Sequence, residues 1–152
     1  MDSSPPPSPG CPRCVPPSPP TTPASGPELE VAVDLIRLES ELRAALEDDQ
    51  FRMVYQPIID MASGETAGFE ALIRWQSPTR GAVSPGQFIP AAEASSVIVP
   101  IGAWIMKTAL ASLKTFRTSC GRDLFMSVNI AERQIADVAF FDHVLHACSA
   151  AD

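Results

Sequence analysis

The sequence predicts an α/β fold, and three observations carry that reading. Runs rich in β-branched and aromatic residues alternate with amphipathic helical stretches, the order of β/α units. About 125 residues follow a proline-rich head, enough for one modest core and too few for a second substantial domain. No apolar run approaches the roughly 18 residues of a membrane span, so none is expected.

The head comes first. Residues 1–27 hold 11 of the 16 prolines and seven Ser or Thr. Such a segment has little apolar surface to offset the entropy of ordering it, so residues 1–28 are expected to be a disordered Pro/Ser-rich tail. Cys11 and Cys14 form a CPRC pair there. That is half of a zinc-knuckle spacing, but Cys120 and Cys148 have no C-x-x-C partner, so an inert thiol pair competes with a zinc half-site. The opening MDSSPPPSPG lacks the basic and apolar regions of a secretory signal, and a cytoplasmic location is expected.

Residues 30–49 read as an acidic amphipathic helix leading into the domain. Val31, Leu35, Leu38, Leu42 and Ala45 recur at spacings of four, three, four and three. The stripe serves either to dock the helix on its own domain or as two heptads of a coiled-coil seam. Residues 28–50 carry eight acids against Arg37 and Arg43, whereas residues 51–152 carry nine acids and eight bases. The net charge of −7 therefore belongs mostly to this helix. Without a Lys/Arg-dense stripe, a nucleic-acid polymer is not an expected partner.

RMVYQPII, 52–59, reads as a strand, and TAGFEALIRWQ, 66–76, as a second. Ser63-Gly64 turns the chain between them, so the two should pair antiparallel. Residues 77–86, with two prolines and two glycines, read as a loop. Ser84, Pro85 and Gln87 then supply a cap, a first-turn proline and a capping-box residue for a helix over about 85–95. Pro100 opens another helix to about Phe116, with Ile101, Trp104, Ile105 and Ala111 on its expected buried face. Gly121 ends it. LFMSVNI, 124–130, is apolar enough for a strand covered on both sides. Ile135, Val138, Phe141, Val144 and Leu145 mark a closing helix. His143 and His146 on it read as surface groups.

The chemistry concentrates on few residues. Glu70, Leu72 and Arg74 alternate along one strand and so share a face, opposite Phe69, Ala71, Ile73 and Trp75. A carboxylate and a guanidinium on an apolar strand are either a structural ion pair or a carboxylate for a cation and an Arg for a phosphate. Asn129, at a strand end, is either an Asx turn or helix cap, or an amide ligand for a hard metal. Gln56 is a third polar residue within a strand. If the β/α order closes a barrel, such strand ends converge on one mouth.

FRMVYQPIIDMASGETAGFEALIRW, SPGQFIPAAEASSVIVPIGAWIMKTA and FMSVNIAERQI stand in this order. Together they resemble the EAL domain family, the cyclic di-GMP phosphodiesterases. The triplet is Glu70-Ala71-Leu72, extended by Arg74, and the resemblance runs from about residue 40 to 152. It implies a modified TIM barrel whose first strand runs against the others. It also implies metal-dependent hydrolysis of cyclic di-GMP to linear pGpG with Mg²⁺ or Mn²⁺. Glu70 and Asn129 would be metal ligands, Arg74 a phosphate contact, and Gln56 and Leu72 part of the nucleotide site. Two divalent ions can activate water and stabilise charge on a phosphate, and Arg offers a fork of donors to its oxygens.

The sequence departs from the family pattern at three places. Ala94, Ser95 and Ser96 replace a Thr-Gly pair, which predicts strain at a turn. Ala131 stands where the family has Ser. The family's later Glu strand, its paired aspartates and its catalytic Lys have no counterpart, since Lys107 and Lys114 lie on a packing helix. A (β/α)₈ barrel takes about 250 residues, so residues 40–152 are expected to be an incomplete, truncated barrel with little activity alone. Its uncovered half-barrel would favour self-association or a protein partner. A degenerate module regulating through protein contacts, and complementary half-barrels assembling an active site, are the other two readings.

Overall fold

A computed structural model describes residues 26–136 together with Phe140, Asp142 and Val144. Cys11, Cys14, Val138, Phe141, His143, Leu145, His146 and Cys148 lie outside the described residues, as does most of the expected tail.

Helix α1 spans Gly26–Glu47, beginning two residues before the expected end of the tail. Strands β1, Phe51–Ile59, and β2, Thr66–Ser77, form an antiparallel pair in which Gln56 faces Glu70 and Val54 faces Leu72. Asp60 fixes the turn between them by accepting from the Ala62 and Ser63 N–H groups at 2.7 and 3.1 Å. Strand β4, Phe125–Val128, then runs parallel to β2, with Glu70 beside Ser127. β1 thus runs against the parallel pair of β2 and β4, as expected of the first strand.

Helix α2, Pro85–Ala94, and helix α3, Ile98–Cys120, cover one face of this sheet. The Gln87 side chain accepts from the Ser84 N–H at 3.2 Å, the return arm of the expected capping box. Gly121 takes a left-handed conformation at φ 64° and closes α3 with a bond to the Arg117 carbonyl. A one-turn helix α4, Glu132–Ile135, follows β4.

The core lies between the odd-numbered face of β2 and the helices. Trp75, Phe88, Leu42, Ile101 and Val97 are its largest fully buried side chains. The Phe51 ring sits within 6.1 Å of the Trp75, Phe88 and Trp104 rings, centroid to centroid. The Trp75 indole donates to Gln50 at 3.1 Å, so its polar edge is satisfied inside the apolar cluster.

Four expectations need correction. The stretch 77–86 is not all loop, because Gly81–Val83 forms a short strand, β3, antiparallel to the end of β2. Ala111 is exposed, and the buried face of α3 runs through Ile101, Ile105, Ala109 and Leu113. At about 100° per residue, Ala111 lies about 120° around the helix from Ile105, whereas Ala109 lies about 40° away. Strand β4 is shorter than 124–130 and covered on one face only, with Phe125 46% exposed. No strain marks the turn at Ala94–Ser96. Among the described residues the one non-glycine with positive φ is Asp49.

Helix α1 docks on the domain through part of its stripe. Leu42 and Ala45 are fully buried against the core, and Leu38 packs beside them. Val31 and Leu35, one to two turns earlier, are 60% and 46% exposed. Only the second half of the stripe docks on the domain.

Candidate functional site

Alternation along β2 sends Phe69, Ala71, Ile73 and Trp75 toward the helices and Glu70, Leu72 and Arg74 to the opposite face. Pairing then recruits further groups to that face. Gln56 stands across from Glu70 on β1, and Ser127 stands beside it on β4. Asn129 is two residues beyond Ser127, so it continues the same side of the chain.

The decisive contact is between Glu70 and Asn129, whose Nδ2 donates to Glu70 Oε1 at 2.8 Å. Asn129 therefore does not cap the following helix, whose N-cap is Ala131. Glu70 and Arg74 do not form the ion pair that was one reading of the strand. The Arg74 guanidinium instead donates from Nη1 to the Ile73 carbonyl at 2.8 Å.

The edge of β2 away from β1 is shared. β4 takes Gly68–Ala71 and β3 takes Trp75–Ser77. Leu72, Ile73 and Arg74 lie between, on an edge that neither strand covers. A cleft of about 400 Å³ opens there, lined by Leu72, Arg74, Ile89, Glu93, Asn129 and Gln134 among others. Most of its wall is apolar, and Arg74, Glu93, Asn129 and Gln134 are its polar residues. Leu72, Arg74 and Asn129 thus meet at one cleft, Glu70 touches it through Asn129, and Gln56 reaches the group by register alone.

The chemistry of a hard divalent cation can be tested against these donors. A carboxylate and a side-chain amide are the oxygen ligands that Mg²⁺ and Mn²⁺ take. Among the described residues no group of three or more His, Cys, Asp or Glu side chains is placed to hold a metal ion. Glu70 and Asn129 fit as members of a coordination set and do not complete one.

Sequence reasoning missed Gln134 and Arg133. Gln134 is 4% exposed and its Oε1 accepts from the Ala131 N–H at 2.9 Å. Arg133 donates to the Glu93 and Ala94 carbonyls at 2.8 and 3.2 Å and so ties α4 to the end of α2. The signal for Gln134 was its place three residues after Ala131, the capping-box spacing without a Ser or Thr to announce it.

The EAL domain matches residues 39–152. The chain belongs to the EAL domain family. The Escherichia coli K12 protein named cyclic di-GMP phosphodiesterase PdeR is 42% identical over 116 residues, which are 76% of this chain and 17% of PdeR. The EAL enzyme Bd1971, solved with cAMP and cyclic di-GMP bound, matches with a TM-score of 0.75 at 35% identity, over 80% of this chain and 35% of that one. The PaMucR phosphodiesterase in complex with c-di-GMP matches with a TM-score of 0.71, also at 35% identity, over 76% of this chain and 47% of that one. This EAL chain thus spans 15–34% of the length of the curated relatives it matches and less than half of the solved ones. Its fold is that of part of an EAL barrel. No helix among the described residues is long and apolar enough to cross a membrane.

Proposed function

We propose that the EAL segment supplies the first metal ligands and phosphate contact of a cyclic di-GMP phosphodiesterase. The observation that carries this reading is the Glu70–Asn129 contact on the strand face that also bears Arg74. Glu70 offers carboxylate oxygens to Mg²⁺ or Mn²⁺. Asn129 uses Nδ2 on Glu70, which reserves its Oδ1 for the same cation. Arg74 offers planar donors to a phosphate of the substrate, and Leu72 and Gln56 border the nucleotide. A bound divalent ion would activate water and stabilise charge on the phosphate under attack.

One carboxylate and one neutral amide leave most of the octahedral shell to water and bring a single negative charge, so residues 1–152 alone should bind the ion weakly and turn over no substrate. The test is a Mn²⁺ titration followed by electron paramagnetic resonance, on the wild-type chain and Glu70→Ala. Weak uptake that the substitution abolishes supports the reading; equal uptake by both proteins overturns it. Chromatography of cyclic di-GMP incubated with the chain and Mn²⁺ should show no linear pGpG. Turnover that Glu70→Ala removes would instead favour active sites assembled from complementary copies.

A second reading is a protein-interaction or cyclic di-GMP-responsive regulator. It is favoured by the exposed Val31, Val33, Leu35 and Ile36 on α1 and by the uncovered face of β4. It predicts a defined oligomer in size-exclusion chromatography with light scattering. A monomer, or aggregate alone, counts against it.

A further inference from the structure

Helix α4 is one turn long, and three of its four residues are exposed. The fourth, Gln134, is buried, and among the described residues it and Ser77 are the buried polar side chains. A long amide buried in so short an element needs a structural reason.

The reason lies on α3. Gly102 is a glycine inside a 23-residue helix, where it costs about 1 kcal/mol relative to alanine. A methyl group built there would fall inside the Gln134 carboxamide. Gly102 is thus a notch that receives this side chain. From the notch, Gln134 Oε1 takes the Ala131 N–H at 2.9 Å. The chain from Val128 to Gln134 is consequently held at both ends. Val128 is paired beside Ala71, and Gln134 is seated on α3. Asn129 lies in the span between these anchors, against Glu70.

We infer that the Gln134–Gly102 lock is a positioning device that holds the Asn129 carboxamide against Glu70. Gln134 acts through the backbone of the loop and touches neither Glu70 nor Asn129 in this role. Side chains that offer ligands are only as well placed as the shell that supports them, and this lock is that support. The value of the device rests on reading Glu70 and Asn129 as cation ligands, but its geometry does not.

Asn129 is the single asparagine of the chain, so selective ¹⁵N-asparagine labelling gives one side-chain amide pair in an NMR spectrum. In the wild-type chain, the proton bonded to Glu70 should be shifted from free-amide values and slow to exchange. Glu70→Ala should return both protons to free-amide values, which assigns the signal. Gln134→Met keeps the volume and loses the acceptor, and should release the Asn129 signals while near-ultraviolet circular dichroism stays native. Gln134→Glu keeps an acceptor at the same place and should retain them. Gly102→Ala should release them by displacing Gln134, and Gly102→Ala with Gln134→Ala should restore stability without restoring the Asn129 shift. A wild-type amide signal in Gln134→Met, or free-amide values in the wild type, overturns the inference. Mn²⁺ uptake is read separately. A wild-type chain that takes up no Mn²⁺ removes the metal reading, while the amide spectrum still decides the lock.

Discussion

Asn129 donates to Glu70 at 2.8 Å across 59 residues of chain. The contact is a product of sheet topology. Parallel pairing sets Ser127 beside Glu70, and a strand's two-residue period then brings Asn129 to the same face just past the end of β4. Neither residue is deeply buried, so the pairing of strands, not a tight core, brings the two together.

This predicts a separation between stability and metal uptake. An exposed side-chain hydrogen bond contributes about 0.5–1.5 kcal/mol to folding. Asn129→Ala should therefore move the urea midpoint little, a loss of about 1 kcal/mol or less, while abolishing Mn²⁺ uptake. A loss of several kcal/mol would show that the side chain serves folding and not a ligand.

A second prediction concerns the start of β4. Gly68 is paired with Phe125, and a Cβ on it would stand 2.5 Å from the Phe125 carbonyl oxygen and 2.8 Å from the ring. Gly68→Ala must push β4 away from β2, and overpacking of this kind costs about 1–3 kcal/mol. Urea denaturation should show that loss, and the Asn129 amide should lose its Glu70 shift with it. An unchanged midpoint and spectrum would mean that the two backbones do not approach so closely in solution.

How much of this was legible in the sequence varies by element. The β1–β2 hairpin was plain, because two runs of β-forming residues flank a Ser-Gly turn. The face shared by Glu70, Leu72 and Arg74 followed from alternation alone. β3 was not legible. Three residues between prolines and glycines carry no period, and Gly81–Val83 becomes a strand only because the end of β2 offers an unpaired edge. The exposure of Phe125 was hidden for the opposite reason. An apolar run reports a strand's propensity to be covered, and nothing among the described residues covers that face. Gln134 was hidden because its burial depends on a glycine 32 positions away on another helix.

The stripe on α1 yields a third prediction, a contrast between two leucines. Leu42 is fully buried, and Leu42→Ala should cost about 2–5 kcal/mol, the usual range for a large-to-small change in a core. Leu35 is 46% exposed, and Leu35→Ala should fall within about 0.5 kcal/mol of the wild type. Equal effects would mean that the whole stripe is covered in solution, as it would be in a helical dimer. The concentration dependence of the Leu35→Ala denaturation curve separates that case, since only a dimer's midpoint rises with protein concentration.

The last prediction is a dependence on pH. Arg80 donates to both carboxylate oxygens of Glu41, at 2.6 and 3.2 Å, and Arg37 adds a bond at 3.2 Å. The Arg80 hydrogen bond foremost holds the Glu41 carboxyl below its ordinary value of 4.5; desolvation, the next largest effect, opposes it, and the charges of Arg80 and Arg37 and the Arg37 hydrogen bond add to the lowering. Because the folded value is the lower one, the unfolded chain binds the proton first as pH falls. The stabilisation is complete above 4.5 and is lost as pH falls through the folded value. Arg80→Met removes most of the cause. It should lower the melting temperature slightly at pH 7, since a partly exposed ion pair contributes little. The gap between variant and wild type should then close on acidification below 4.5, while Asp60, held low by the Ser63 and Ala62 N–H groups, destabilises both proteins alike. A gap that keeps its size through this range would assign the effect of Arg80 to packing of its aliphatic stem against the domain and not to charge.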